Sequence, residues 1–334
     1  MNEAARIIRV SAPVRLDFAG AWTDVAPFAE VSRGVVVNAA INLRTRVELT
    51  TGQLRFRLVA DDLNQMIDVG SVSDLAPDGT PDLLKAAIRR SGLSPCHLRT
   101  SAEAPPGSGL GTSGALSVAL VAAIAEAHRQ ASDILDIAHQ AWQLETVDAA
   151  VPGGQQDQYA AAMGGVQRLV FDRGVTSAFP LSLDPAFAEA LARHTVICFT
   201  GRSRFSGNTI TRVMDAYVAG DRGVASALDR LAEIAEQMAD ALQAASLARI
   251  GALLAENWQQ QQRLAPGMCT EEMARVEAAV MGAGGIGGKA AGAGAGGTMF
   301  FIVPGDPAAA KAAAAAAGAT ILPTAWADRG VSID

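Results

Sequence analysis

The chain has 334 residues, of which half are hydrophobic and 18% are charged. This composition is typical of a folded globular protein with two domains or one large one, and it excludes a disordered chain. The net charge of -7 at pH 7 argues against a nucleic-acid partner, because nucleic-acid phosphates require a basic surface.

The beginning of the chain, MNEAARIIRV, has no apolar signal-peptide region, and the longest strongly apolar run, residues 115–125, is too short to span a bilayer. We therefore expect no membrane partner and a cytoplasmic location. Cys96, Cys198 and Cys269 are far apart and odd in number, which predicts free, partly buried thiols in a reducing compartment.

The first third of the chain is predicted to be rich in strands. Pro13 interrupts the first of them, so this strand is expected to bend or to lie at a sheet edge. A loop with Gly20 and Pro27 follows it. The β-rich or alternating segments are residues 7–16, 34–49, 54–59 and 97–102, and residues 82–91 have helical spacing.

A glycine-rich loop, APPGSGLGTSGALS at residues 104–117, follows the fourth predicted strand. Its glycines allow several backbone N–H groups to point at one site, and the following helix adds its unpaired first-turn N–H groups. The segment therefore predicts an anion site, with phosphate as the expected anion. Thr112 and Ser113 stand at the helix entry, where a hydroxyl either caps the helix or faces a metal ion.

Helices are predicted on both sides of a boundary near residues 180–190, and beyond this boundary the chain is predicted to be mainly helical. Ser132 is the expected cap of its helix, and Asp306, Pro307 and Gly318 delimit an alanine-rich helix near the end. Helices are predicted at residues 114–129, 132–148, 208–219, 224–244 and 247–262, and strands at residues 166–172, 195–199 and 298–303.

Nucleotide-binding motifs of two common kinds do not account for the glycine loop. The pattern G-x-G-x-x-G occurs three times in a chain with 33 glycines, so it is weak support for a dinucleotide site. Pro105 and Pro106 also separate its first copy from the preceding strand, whereas a Rossmann turn follows its strand directly. No G-x-x-x-x-G-K-[ST] sequence occurs, which excludes a Walker-type loop.

Three segments in the right order resemble the motifs of the GHMP kinases, the superfamily of galactokinase, homoserine kinase and mevalonate kinase. Residues 106–115, PGSGLGTSGA, resemble the signature P-x-x-x-G-L-G-S-S-A. Residues 12–24, APVRLDFAGAWTD, are similar to the substrate-side motif of galactokinases, and residues 288–297, GKAAGAGAGG, to the third, glycine-rich motif. GGQQDQYAAAMGGVQRLVF looks like the corresponding stretch of heptose 7-phosphate kinases, and the first motif is also similar to that of fucokinases.

This resemblance implies an α+β fold with two domains. Residues 1–185 would form a GHMP N-terminal domain like ribosomal protein S5 domain 2, and residues 186–334 a ferredoxin-like C-terminal domain. It implies an ATP- and Mg²⁺-dependent sugar kinase, acting as a monomer or homodimer on a small-molecule sugar or sugar phosphate. The expected acceptor is the anomeric hydroxyl of D-glycero-D-manno-heptose 7-phosphate. L-fucose or another unphosphorylated sugar is the alternative acceptor, and a non-catalytic nucleotide or sugar sensor is an alternative of another class.

The resemblance also assigns catalytic and metal-binding roles. Asp157 would act as the base or orienting group for the acceptor hydroxyl, and Arg15 would pair with it. Ser113 and Glu145 would be the magnesium ligands, although Asp148, one turn further along, fits the second place as well. The residues that would hold the ATP phosphates are Pro106, Gly107, Ser108, Gly109, Leu110, Gly111, Thr112 and Ser113.

On the substrate side, the resemblance assigns Asp24 to the sugar hydroxyls, together with Trp22, Thr23 and Gly154. Ala21 and Trp22 replace the Glu-His of galactokinases, which argues against galactose and allows the indole to stack on the sugar. For the two arginines Arg202 and Arg204, and for Lys289, two alternative roles stay open. Arg202 and Arg204 either bind a substrate phosphate or lie in solvent. Lys289 either reaches the nucleotide or hydrogen-bonds a loop.

Overall fold

Two long antiparallel strands form the centre of the first sheet in the computed structural model, which describes residues 5–79, 81–201 and 207–333. They are β1 (Ile7–Ala19) and β2 (Arg33–Thr50). A register shift between Pro13 and Val14 bends β1, which confirms the predicted bend. The alternative of an edge position is wrong, because β1 lies between β2 and β12 (Ser332–Ile333).

The remaining strands of the first sheet flank this pair. They are β3 (Phe56–Ala60), β4 (Gln65–Val69), β5 (His97–Ala102), β6 (Val166–Asp172) and β7 (Val175–Pro180). The two halves of β2 pair with different strands, the first with β6 and the second with β5. In the described part of the chain this sheet has eight strands, and only the β3–β5 pairing is parallel.

The helices of the first half pack around this sheet. α3 (Thr112–Ala127) starts two residues before its predicted position, because Gly111 already has a left-handed backbone at the N-cap. The predicted cap Ser132 is wrong: the side chain of Asp133 accepts from the Leu135 amide instead. The other elements are α1 (Phe28–Val31), a 3-10 turn (Val72–Asp74), α2 (Asp82–Ser91), α4 (Ile134–Gln143), a π-helical turn (Leu144–Asp148) and α5 (Gln156–Met163).

The second sheet is smaller and wholly antiparallel. Its order is β11-β8-β10-β9, from β8 (Thr195–Phe199), β9 (Gly287–Ala290), β10 (Thr298–Ile302) and β11 (Thr320–Leu322). Asp306 caps α11 as predicted, accepting from the amides of Ala308 and Ala309. The helices here are α6 (Pro185–His194), α7 (Gly207–Val218), α8 (Arg222–Gln243), α9 (Leu247–Arg263), α10 (Glu271–Gly282) and α11 (Pro307–Ala316).

The largest hydrophobic cluster contains residues of both halves of the chain. α8 packs on β2, α9 packs on β9, and the last strand returns to pair with β1. The division at residues 185 and 186 therefore stays a prediction. Cys96 and Cys198 are buried free thiols and Cys269 is half-buried, as predicted. No helix among the described residues combines the length and the apolar character that a membrane span requires.

The connection between β9 and β10 lies directly against the glycine loop before α3. The Thr298 amide donates to the Ser108 carbonyl at 2.8 Å. Gly297 has a φ of +82°, and a Cβ there would lie 2.6 Å from the Ser108 oxygen, so only glycine fits this close approach. The two glycine-rich segments, far apart in sequence, form one surface.

Candidate active site

A cleft of about 660 Å³ opens between the glycine loop, the start of α5 and the β9–β10 connection. Most of the residues that the sequence singled out line it. They are Arg15, Trp22, Asp24, Pro106, Gly107, Ser108, Gly109, Gly111, Thr112, Ser113, Glu145, Gly154 and Asp157. Residues distant in sequence thus meet in one place, as a reacting site requires.

The glycine loop forms one wall of the cleft. Gly107, Gly109 and Gly111 all have positive φ values, and α3 begins immediately after them. This geometry is suited to an anion, because loop N–H groups and the helix N-terminus act together. The side chain of Leu110 is fully buried in the core, so only its backbone is available to a ligand.

Arg15 and Asp157 form an ion pair at the floor of the cleft. The Arg15 Nε donates to Asp157 Oδ1 at 2.8 Å, and the side chains are 6% and 25% exposed. The Arg15 Nη1 donates to the carbonyls of Gly109 (2.8 Å) and Ala291 (3.0 Å). Gly114 leaves room for this arrangement, since a Cβ there would lie 2.5 Å from Asp157 Cβ. Asp157 is therefore held in place and still reachable.

Glu145 lies beside Ser113 and is buried. The Ser113 hydroxyl donates to Glu145 Oε1 at 2.6 Å, and the Gln158 amide donates to Oε2 at 2.7 Å. Burial raises the pKa of Glu145 to about 7, and the hydrogen bond from Ser113 opposes this rise. Both donors are uncharged, so neither neutralises the carboxylate. The alternative, Asp148, instead pairs with Arg90 at 2.6 Å and does not line the cleft.

Asp24 is a second buried carboxylate in the same cleft. Burial raises its pKa to about 6, a hydrogen bond from the Gln156 amide (3.0 Å) opposes the rise, and the charges of Asp157 and Asp17 add to it. Gly154 borders its carboxylate. A buried carboxylate with one backbone donor retains acceptor capacity for ligand hydroxyls.

Trp22 and Thr23 differ in their positions. Trp22 lines the cleft as a buried wall and has a φ of +83°, and its indole Nε1 has no partner among the described residues. Thr23 is fully buried outside the cleft lining, and its hydroxyl donates to the carbonyls of Gly20 (2.8 Å) and Val35 (3.0 Å). Thr23 thus closes the turn that presents its two neighbours.

Another predicted residue, Lys289, is not part of the described cleft lining. The Lys289 ammonium is buried and donates to the Asp17 carbonyl at 2.8 Å, which corresponds to the loop-bonding alternative. Arg202 and Arg204 lie outside the described residues.

The sequence did not single out two glutamines beside Asp157. The Gln156 backbone amide donates to Asp24, and the Gln158 side chain donates to Glu145, so the turn of α5 that carries Asp157 contacts two further carboxylates. The available signal was the dense polar run QQDQ after two glycines, in which only the aspartate was given a role. The wall formed by Asp62, Gln65, Leu83 and their neighbours was also missed, because no motif marks it.

The described cleft lining has an acidic character. It contains one basic side chain, Arg15, and five acidic ones, which are Asp24, Asp62, Asp82, Glu145 and Asp157. No group of three or more histidine, cysteine or carboxylate residues suited to a metal occurs in residues 5–79, 81–201 and 207–333. The adjacent oxygens of Ser113 and Glu145 fit Mg²⁺ nevertheless, because this ion keeps waters and substrate phosphates in its shell.

Comparison with known proteins identifies relatives over most of the chain. The D-glycero-alpha-D-manno-heptose 7-phosphate kinase of Campylobacter jejuni is 30% identical over 311 residues, covering 89% of this chain and 90% of that protein. The bifunctional fucokinase/GDP-fucose pyrophosphorylase of Arabidopsis thaliana is 28% identical over 80% of this chain, but over only 27% of that longer protein.

Solved structures support the same relationship. A D-glycero-D-manno-heptose 1-phosphate kinase from Bacteriodes thetaiotaomicron superimposes with a TM-score of 0.81 at 25% identity, covering 98% of both chains. A putative sugar kinase from Campylobacter jejuni gives 0.77 at 27% identity, covering 99% of both chains. Lactococcus lactis galactokinase, at 17% identity and a TM-score of 0.78, shares the fold.

Two family models match the chain in the expected order. The model for the GHMP kinases N terminal domain matches residues 82–165, and the model for the GHMP kinases C terminal domain matches residues 238–320. The matches confirm the predicted α+β fold with two family domains. With its glycine loop, its Arg15–Asp157 pair and these relatives, the chain belongs to the GHMP kinase family of phosphotransferases.

Proposed function

We propose that this protein is an ATP- and Mg²⁺-dependent kinase that phosphorylates the anomeric hydroxyl of D-glycero-D-manno-heptose 7-phosphate. The observation that supports it best is the presence of the Arg15–Asp157 pair and the Ser113–Glu145 pair in one cleft. Phosphoryl transfer depends on an oriented hydroxyl and on neutralised phosphate charge, and these two pairs supply both.

Asp157 receives the proton of the acceptor hydroxyl in this proposal. A carboxylate oxygen within hydrogen-bond distance orients the hydroxyl toward the γ-phosphate and accepts its proton as the new O–P bond forms. Arg15 keeps the carboxylate in position through its 2.8 Å contact. Its positive charge also favours the negative charge that develops on the phosphoryl oxygens.

Ser113 and Glu145 would hold Mg²⁺ through one hydroxyl and one carboxylate oxygen. Their oxygens are 2.6 Å apart, and the buried Glu145 carboxylate has no cationic hydrogen-bond partner among the described residues. A bound Mg²⁺ supplies positive charge to the triphosphate in a cleft whose described side chains are mostly acidic. The glycine loop from Gly107 to Ser113 then contacts the phosphates through its N–H groups.

The acceptor and the nucleoside would occupy opposite ends of the cleft. Asp24, Trp22 and Gly154 form the acceptor end, where Asp24 accepts hydrogen bonds from sugar hydroxyls. Asp62, Leu63, Gln65 and Leu83 also line the cleft, and in this proposal they would contact the nucleoside. The γ-phosphate would then lie between Asp157 and the start of α3.

The acceptor phosphate is the part of the proposal that relies most on the relatives. The match to a relative named as a heptose 7-phosphate kinase covers 90% of that protein. The match to the fucokinase covers only part of a longer protein. Arg202 and Arg204 are the candidate ligands for the phosphate, because guanidinium groups bind phosphate oxygens in bidentate fashion. L-fucose is the alternative acceptor that the fucokinase relatives favour.

The catalytic role of Asp157 is tested by Asp157→Asn in an assay of ATP consumption over free and phosphorylated heptoses and hexoses. We expect kcat to fall by about 10²- to 10⁴-fold, because the amide cannot accept the proton. Asp148→Asn is the matched control, since this aspartate pairs with Arg90 away from the cleft, and it should retain kcat. Near-normal turnover of Asp157→Asn would contradict the assignment.

The role of Asp24 is tested by Asp24→Asn through stability and acceptor affinity together. Its folded pKa of about 6 exceeds its ordinary value of 3.8. The protonated form therefore favours the native state below about pH 4, and this contribution is lost as the pH rises through 6. The variant should become more stable than the wild type above pH 6, by about 3 kcal/mol, with no such gain at pH 4.

In the same variant, the KM for the acceptor should rise at least tenfold, because hydrogen bonds to a charged group are worth about 1.5–3 kcal/mol. The KM for ATP should change little. Asp172→Asn, at an exposed position, controls for a general effect of removing a carboxylate. An unaltered acceptor KM would exclude Asp24 as the sugar ligand, and a loss of stability at pH 7 would contradict the raised pKa of Asp24.

The acceptor phosphate is tested by the double variant Arg202→Ala/Arg204→Ala. The KM for heptose 7-phosphate should rise at least tenfold, since each charge-assisted hydrogen bond contributes about 1.5–3 kcal/mol, while the KM for unphosphorylated sugars should stay constant. Arg212→Ala, whose guanidinium donates to the Pro266 carbonyl at 3.3 Å, serves as the control. An unchanged KM for heptose 7-phosphate, or an equal rise in KM for both substrate classes, would remove these arginines from the proposal.

A further inference from the structure

A buried ion pair connects the two sheets next to the cleft. The Lys289 ammonium on β9 contacts the Asp17 carboxylate on β1, and both side chains are 0% exposed. The ammonium also donates to the Asp17 backbone carbonyl at 2.8 Å. The second carboxylate oxygen, Oδ1, has no hydrogen-bond partner among the described residues.

Stability alone does not explain such a pair. Desolvation of two charges costs several kcal/mol per ion, and buried ion pairs are often no better than apolar side chains of similar size. Neither residue lines the cleft. We therefore looked for the role of the pair in the two chain segments that it connects.

The same two chain segments are linked a second time at the catalytic arginine. Arg15 precedes Asp17 by two residues, and its Nη1 donates to the carbonyl of Ala291, two residues after Lys289. Residues two apart in a strand lie on the same face. The two links are therefore adjacent, and one of them includes the arginine that holds Asp157.

We propose that the Asp17–Lys289 pair is a positioning device for Arg15 and for the glycine loop. It fixes β9 against β1, so that the Ala291 carbonyl meets the guanidinium and the β9–β10 connection meets residues 107–111. This inference rests on the proposed function in one respect, the catalytic role of Asp157, the partner of Arg15. Lys289 thereby acts on the reaction through Arg15 and touches neither the nucleotide nor the acceptor.

Displacement of β9 would disturb two contacts at once. The Ala291 carbonyl, which accepts a hydrogen bond from Arg15, would move. The segment from Gly292 to Thr298, which lies on the glycine loop, would move with it. A Cβ at Gly292 would lie 2.4 Å from the Gly109 oxygen, which shows how closely these backbones approach. Shifts near 1 Å at such positions reduce reaction rates by about 10²-fold.

The test is the double variant Asp17→Asn/Lys289→Met, which removes both charges and avoids leaving one of them alone in the core. Amide hydrogen exchange, followed by mass spectrometry on peptides covering residues 107–114 and 290–298, reports on the two glycine segments without any turnover. We expect exchange in both segments to become at least threefold faster. We also expect kcat to fall at least tenfold with less than a threefold change in either KM.

Leu191→Ala, a substitution of a buried leucine on α6, is the control for general destabilisation and should leave exchange in both segments as in the wild type. Wild-type exchange and wild-type kcat in the double variant would overturn the proposal. If the double variant does not fold, Asp17→Asn/Lys289→Gln, which also removes both charges, carries the same comparison with the same two criteria. A wild-type enzyme without turnover on any sugar would refute the proposed function, whereas the exchange measurement would still decide this inference.

Discussion

The Arg15 guanidinium is the interaction on which the rest of the site depends. It is almost completely buried, and its donors are divided among Asp157, the Gly109 carbonyl and the Ala291 carbonyl. One side chain thus connects the Asp157 carboxylate, the glycine loop and the segment after β9. A buried charge needs several hydrogen bonds to be tolerated, and here each of them comes from a segment that contributes to the cleft.

Two buried carboxylates of the cleft, in contrast to Arg15, lower the stability of the unliganded protein. Within the part of the chain that the structure describes, no cation is in hydrogen-bond contact with Asp24 or Glu145, and burial raises the pKa of both. Such groups reduce the stability of the unliganded protein at neutral pH. Ligands that supply hydroxyl groups to Asp24 and a divalent cation to Glu145 would relieve this cost, so the arrangement favours binding at the expense of fold stability.

The sequence predicted those parts of the structure that local chemistry determines. The boundaries of α2 agreed with the helical spacing of its residues, and the prolines and glycines around α11 marked both of its ends. The contact of Lys289 with Asp17 was not predictable, because it joins positions 272 residues apart. The positions of Gln156 and Gln158 depend on how α5 packs against β1 and α3, and the burial of Asp24 depends on that same packing. Spacing alone carries no such information.

The central claim, that this cleft transfers a phosphoryl group from ATP to the anomeric oxygen of a heptose phosphate, is tested most directly by phosphorus NMR of the reaction product. The protein is incubated with ATP, Mg²⁺ and D-glycero-D-manno-heptose 7-phosphate. The account predicts one equivalent of ADP and a new phosphate signal coupled to the anomeric proton. A new phosphate coupled to any other sugar proton, or no ADP formation with this sugar, would contradict it.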